Sequence, residues 1–200
     1  MERYRILEGV YIYFVTFAIV EWLPVFIEES TCKNITDSLN FCIQNKSLRV
    51  NAYVVMSNHL HAVVFDGDFD SERLKHTLDD FRKFTGRQLA DYCDAHCSLV
   101  FGEAFRRAAG EDRQRRVWQP TQHPEGIVSE QFWQQKVNYI HENPVRKGLV
   151  TRPEDWRFSS AKFWANEDTK NTDIEICGLA GSLETCGQYL GGVGRPSPTR

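Results

Sequence analysis

The 200-residue sequence has no apolar run of the ~18 residues that a membrane-spanning helix requires. Its most apolar stretch, Val10 to Trp22, lacks a basic leader and is broken by Thr16 and Glu21. It reads as a strand rather than a signal peptide, and the chain is expected to be cytoplasmic and to have no membrane partner. There is no internal repeat, which excludes a solenoid. There is no excess of positive charge either. The net charge is -3, so the whole chain does not advertise contact with polyanions. The six cysteines include no paired Cys or His motif at zinc-finger spacing. Cys93, His96 and Cys97 share a helix face but have no companion pair, so the cysteines are read as reduced thiols of a cytosolic protein.

What is present suits one ordinary domain with an extension. Charge is unevenly spread. Residues 101–152 carry nine basic and six acidic side chains, whereas residues 1–100 carry ten and fourteen. A local basic strip can serve phosphate contact even when the whole chain is acidic.

Tyr11–Phe17 is aromatic and β-branched, the composition of a buried strand. Glu28–Gln44 has Ile35, Leu39, Cys42 and Ile43 at helical spacing. Leu48–Met56 and Leu60–Phe65 are strands, joined by a hairpin turn of the three residues Ser57-Asn58-His59. Ser71–Tyr92 is a second amphipathic helix, capped by Asp70 or Ser71, with Gly86 marking a bend. Residues 98–128 are least regular and hold an Arg-rich run. Within them Val117-Trp118-Gln119 is a candidate fourth strand. Ser129–Glu142 is a third helix, capped by Ser129 and closed by Pro144, with Trp133, Val137 and Ile140 as its core stripe. The order β-α-β-β-α-β-α fits an α+β fold of ferredoxin-like type, an antiparallel sheet with helices packed on one face. The domain is expected to span residues 1–164, leaving 165–200 as a tail of open role.

Two stretches carry chemistry. His59-Leu60-His61 puts two imidazoles on one face of a strand, where they can hold one divalent metal. Spacing alone equally allows two solvated residues of an edge strand. Tyr139 and Asn143 are four apart on the third helix, so they share a face. A tyrosine so placed can be a packing residue, and an asparagine before proline a helix terminator.

These residues resemble a known family. His59-Leu60-His61 is similar to the His-hydrophobic-His motif of HUH endonucleases. Tyr139-Ile140-His141-Glu142-Asn143-Pro144-Val145 resembles the Tyr-x-x-x-Asn-Pro-Val segment of REP-associated tyrosine transposases, single-tyrosine relatives of the IS200-like insertion-sequence transposases. Pro153-Glu154-Asp155-Trp156 and Phe158-Ser159-Ser160 are similar to the motif that follows it. The resemblance implies an HUH endonuclease fold and metal-dependent cleavage and strand transfer of single-stranded or hairpin DNA. Tyr139 would be the nucleophile, forming a 5′-phosphotyrosine. His59, His61 and Asn143 would ligate Mg2+ or Mn2+. DNA-binding candidates are Arg146 and Lys147, then Arg115 and Arg116, then Lys83 and Arg87. Trp118 either stacks on an unpaired base or packs in the core. The bacterial cytosol or nucleoid is the implied location, and the chain could act as a monomer or a homodimer. The rival reading is a domesticated protein of the same fold that binds hairpin DNA without mobility. A third, a ferredoxin-like metal protein acting on small molecules, leaves Tyr139 and the Arg run without a role.

Overall fold

A computed structural model describes residues 10–111, 113–120, 124–166 and 172–177. Its strands are β1 (Ile12–Ala18), β2 (Leu48–Met56), β3 (His59–Asp66) and β4 (Glu125–Gly126). The helices are α1 (Glu29–Asn45), α2 (Ser71–His96), α3 (Leu99–Arg107), α4 (Glu130–Arg146) and α5 (Ala161–Asn166). The sheet order is β2-β3-β1-β4 with every neighbouring pair antiparallel, the ferredoxin-like arrangement.

Both sheet faces are apolar, and both are covered. Tyr13, Val15, Phe17, Leu60, Ala62 and Val64 pack with the stripes of α1 and α2. Ile12, Phe14, Val54, Met56, Val63 and Phe65 pack with Trp133, Val137 and Ile140 of α4. The expectation of helices on one face therefore holds for α1 and α2. The third long helix takes the other face, because alternate residues of β1 and β3 are apolar on both sides.

A bulge in β2 sets the facing. The register shifts between Val50 and Ala52, so Val50 packs with α1 and α2 while Ala52 packs with α4. Without the extra residue the two would share a face. The bulged Asn51 is fully buried and satisfied: its Oδ1 accepts from Trp133 Nε1 at 2.8 Å, and its Nδ2 donates to the Cys177 carbonyl at 3.1 Å. Its own carbonyl accepts from Trp164 Nε1 at 3.0 Å.

The outer edge of β2 is covered by the segment after α4. Val55 N donates to the Phe158 carbonyl at 2.9 Å and Ser160 N to the Tyr53 carbonyl at 3.0 Å, with Val54 bridged to Ser159. The Phe158-Ser159-Ser160 segment thus protects an edge strand. Residues 172–177 also return to the sheet: Cys177 N donates to the Val50 carbonyl at 2.9 Å, and Ile174 is buried. The packed body therefore reaches beyond residue 164.

Local chemistry explains most boundaries. Asp70 caps α2 by accepting from Arg73 N at 2.9 Å, and Ser129 caps α4 by accepting from Phe132 N at 3.2 Å. The hairpin turn is the two residues Ser57-Asn58, since His59 already pairs with Met56. Residues 117–119 run beside the end of β1 but make a single bridge, Ile19 to Trp118, and the fourth strand is Glu125–Gly126. α2 runs on through Gly86, where a Cβ would meet Trp118 Cδ1 at 3.3 Å. The glycine is there for close approach.

Pro144 does not close α4, which runs on to Arg146. Gly148 ends it, at φ +69°. Gly148 N donates to the Val145 carbonyl at 2.8 Å and Leu149 N to the Pro144 carbonyl at 2.9 Å, a Schellman closure. The proline forfeits only its own helical donor, and the extra turn carries Arg146 and Lys147 back beside the helix.

Candidate metal and nucleophile site

β3 is an interior strand, so its histidines are not on a solvated edge. His59 and His61 are buried on the face that α4 covers, 8% and 6% exposed, with ring centroids 4.5 Å apart. Tyr139 approaches from α4, its ring 5.2 Å from that of His61 and 6.0 Å from that of Phe14. Phe14 stacks on His61 at 5.2 Å. Asn143 lies one turn beyond Tyr139 on α4 and is buried.

Both imidazoles are oriented through Nδ1. His59 Nδ1 lies 2.6 Å from Asn58 Oδ1. Asn58 Nδ2 donates to the Trp22 carbonyl at 3.2 Å, which leaves Oδ1 to accept and makes His59 Nδ1 the donor. His61 Nδ1 lies 2.8 Å from Thr16 Oγ1. With Nδ1 engaged, Nε2 of each ring is left for a ligand, the arrangement that orients metal-binding histidines.

Burial keeps both rings neutral. It pushes the His59 pKa down to about 4, with help from the Lys147 charge. It pushes that of His61 to about 3, with help from His59 and Lys136. Neutral imidazole is the ligating form. Among the described residues there is no group of three or more His, Cys, Asp or Glu that could hold a metal. Two neutral, oriented imidazoles with the Asn143 amide on the facing helix fit a divalent cation that keeps open positions.

Cations surround this pair. The Arg146 guanidinium lies 5.0 Å from the Tyr139 ring centroid. Lys136, one turn before Tyr139, sits 4.3 Å from the Phe14 ring centroid and 2.8 Å from Glu125 Oε1. Lys147 is exposed and bears on His59.

Other residues singled out in the sequence lie elsewhere. Lys83 and Arg87 are exposed on α2, on the side of the sheet opposite α4. Arg115 is committed to Asp91 and Asp94 of α2 at 2.6 Å each. Arg116 reaches towards the Ala109 carbonyl at 3.5 Å. Arg106 pairs with Asp94 at 3.7 Å and Arg107 with Glu21 at 2.7 Å, so much of the Arg-rich run is spent on acidic neighbours. Trp118 is 5% exposed, packed between Phe17 and Phe26, and donates to Thr85 Oγ1 at 3.1 Å. That corrects the stacking assignment: its faces are taken by the core. Cys93 is likewise buried, its thiol pushed up to about 12 by burial, and it is not a ligand-like thiolate.

Sequence reasoning missed Thr16, Asn58, Lys136 and Trp22. Thr16 carried a signal, the one threonine within an aromatic and apolar strand. Lys136 carried another, three residues before Tyr139. Asn58 and Trp22 depend on long-range pairing that no local pattern shows.

Fold and site together place a histidine pair on a central strand of a ferredoxin-like sheet, facing a tyrosine on a helix. The particular relatives are REP-associated tyrosine transposases, to which this chain is similar in sequence and in fold. No protein-family model matches the chain. A curated REP-associated tyrosine transposase of Escherichia coli (strain K12) is 25% identical over 119 residues, 58% of this chain. The match covers 56% of that protein, so the chain spans about half the length of the curated relative it matches. A solved structure of a REP-associated tyrosine transposase bound to a REP hairpin matches with a TM-score of 0.53 and 21% identity. The match covers 89% of this chain and 92% of that one. Among the described residues no helix is long and apolar enough to cross a membrane.

Proposed function

We propose that this protein cleaves and rejoins single-stranded or hairpin-flanked DNA through a covalent bond to Tyr139, in the manner of the DNA transposases it resembles. The observation that carries the reading is the meeting of three features brought together by two elements. A neutral histidine pair on β3, Tyr139 on α4 and the cationic end of α4 converge on one patch, while the apolar residues around them pack as core.

His59 and His61, with Asn143, would hold Mg2+ or Mn2+, which supplies Lewis acidity to the scissile phosphate when bound. Imidazole favours Mn2+ and cellular abundance favours Mg2+. Asn58 keeps His59 in the tautomer that ligates through Nε2, and Thr16 holds the His61 ring by its Nδ1. Arg146 and Lys147 bind phosphate oxygens and draw the strand across the Tyr139 ring. The Tyr139 hydroxyl forms a bond to phosphorus and gives up its proton. The 3′ oxygen of the neighbouring nucleotide leaves and takes up a proton. The product is a 5′-phosphotyrosine and a free 3′-hydroxyl. The phosphodiester energy is kept in the adduct, so a later 3′-hydroxyl can displace Tyr139 without an energy cofactor. Packing of Trp133, Val137 and Ile140 against the sheet fixes the helix, and positioning supplies much of the rate.

The test is a nicking assay on labelled hairpins with single-stranded flanks, with and without Mg2+ or Mn2+. Cleavage should need the metal and should be lost in His59→Ala and His61→Ala, while hairpin binding is largely kept. Binding without cleavage in the unmodified protein would favour the domesticated binding protein instead.

A further inference from the structure

We propose that Trp22 is a stacking platform for an unpaired base of the bound strand, one nucleotide from the phosphate held at His59, His61 and Tyr139. The inference rests on the nucleic-acid reading above and adds a base subsite to it.

Five tryptophans are present and four are used by the fold. Trp118, Trp133, Trp156 and Trp164 each donate their indole N–H to a partner inside it: Thr85, Asn51, the Val55 carbonyl and the Asn51 carbonyl. Trp22 is 55% exposed, and its ring stands 6.0 Å from that of His59, nearly perpendicular to it. An indole at that distance borders the candidate site and leaves ring surface open to a base.

The backbone that presents it is strained. Glu21 and Trp22 are consecutive residues in the left-handed region, at φ 54° and 55°. Residues other than glycine adopt that region at a cost, and two in succession persist only where the surroundings fix them. Here Trp22 N donates to the Ile19 carbonyl at 3.0 Å and Leu23 N to the Val20 carbonyl at 3.3 Å. Asn58 Nδ2 holds the Trp22 carbonyl while Asn58 Oδ1 holds His59. One side chain therefore ties the platform to the metal-ligand candidate. A single exposed aromatic is unremarkable by itself. An exposed aromatic on a strained turn, clamped beside the candidate site, leaves more than half of its surface open and points to a ligand.

The local charge suits a nucleotide. Glu21 would repel phosphate, but Arg107 neutralises it through Nη2 and Nε, at 2.7 and 3.0 Å from Glu21 Oε1. Lys147 stands on the His59 side. Stacking on an indole is tolerant of sequence, so the subsite would accept any base left unpaired beside the hairpin.

The experiment measures binding in EDTA, so that cleavage does not intervene. The probes are hairpin oligonucleotides with a single-stranded flank, in which 2-aminopurine replaces each unpaired base in turn. Trp22→Ala should weaken binding about ten-fold, while Trp22→Phe stays within about three-fold of the native protein, as for loss and retention of one stack. The slope of log affinity against log salt should not change, because stacking releases no counterions. One 2-aminopurine position should be quenched by the native protein and not by Trp22→Ala. Melting temperatures within a few degrees of native would show that both variants fold. Equal affinity in Trp22→Ala, an altered salt slope, or 2-aminopurine quenching independent of Trp22 would overturn the proposal. The cleavage reading is separable. A protein that never nicks yet shows the Trp22 stack keeps the subsite and loses the enzyme. Nicking by Trp22→Ala at native rate and affinity does the reverse.

Discussion

Trp118 offers the sharpest contrast between a core residue and a DNA contact. Its indole lies between Phe17 and Phe26, against the Gly86 backbone, and donates to Thr85 Oγ1 at 3.1 Å. Truncating a buried aromatic to alanine costs about 3–5 kcal/mol. Thr85 Oγ1 still donates to the Phe81 carbonyl at 2.7 Å, so no hydroxyl is stranded and the cost is that of the cavity. For a domain of this size 1 kcal/mol moves the melting temperature by about 2–4 °C, so Trp118→Ala should melt about 6–20 °C lower. Trp118→Phe should lose less, since most of the ring volume remains. Thermal unfolding followed by circular dichroism measures this. Hairpin affinity, measured by anisotropy well below the lowered melting point, should stay within a few-fold of native. A melting temperature within about 2 °C of native, together with a large loss of affinity, would refute the packing argument and return Trp118 to the DNA.

Two further outcomes follow from the site and its surroundings. Arg146→Ala with Lys147→Ala removes two exposed cations, so the salt slope of single-strand binding should flatten by about 1.4 if both contact phosphate; an unchanged slope would move the phosphate contact elsewhere. His141 is buried, its Nε2 2.8 Å from Ser160 Oγ, and burial pushes its pKa from 6.5 down to about 3. Between those values the unfolded chain holds a proton that the folded one lacks, so stability is full above about pH 6.5 and falls as the pH drops, by at most about 1.4 kcal/mol per pH unit. Urea unfolding of His141→Gln should show a shallower acid loss than native, and identical slopes would contradict the burial argument.

The strands of the sheet centre were legible because their apolar runs are long and their turns short. Leu48–Met56 is found with the expected limits. Ser129 and Asp70 announced their helices by cap chemistry. Legibility failed where pairing is long-range. α3 lay in the stretch read as irregular, since it is short, holds Gly102 near its middle, and its arginines pair with residues distant in sequence. The bulge at Asn51 leaves no mark in the alternation, because Val50 and every residue from Ala52 to Met56 are buried whichever face they take. Pro144 looked like a stop because its missing donor is a local fact, whereas Gly148, the residue that ends the helix, acts through the conformation of the turn beyond. The candidate site was legible as residue types but not as a place. The motifs named His59, His61, Tyr139 and Asn143. Thr16, Asn58 and Trp22, which hold or border them, come from β1, from the hairpin turn and from the turn after β1.

The central claim is that Tyr139 carries the DNA covalently. The direct measurement is mass spectrometry of the peptide that retains the label after hairpin DNA, metal and protein are mixed, denatured and digested. The account predicts one adduct, a nucleotide 5′-phosphate on Tyr139, and its disappearance together with the nick in Tyr139→Phe. An adduct on Tyr11, Tyr13, Tyr53 or Tyr92, or nicking that persists in Tyr139→Phe with no adduct, would contradict it.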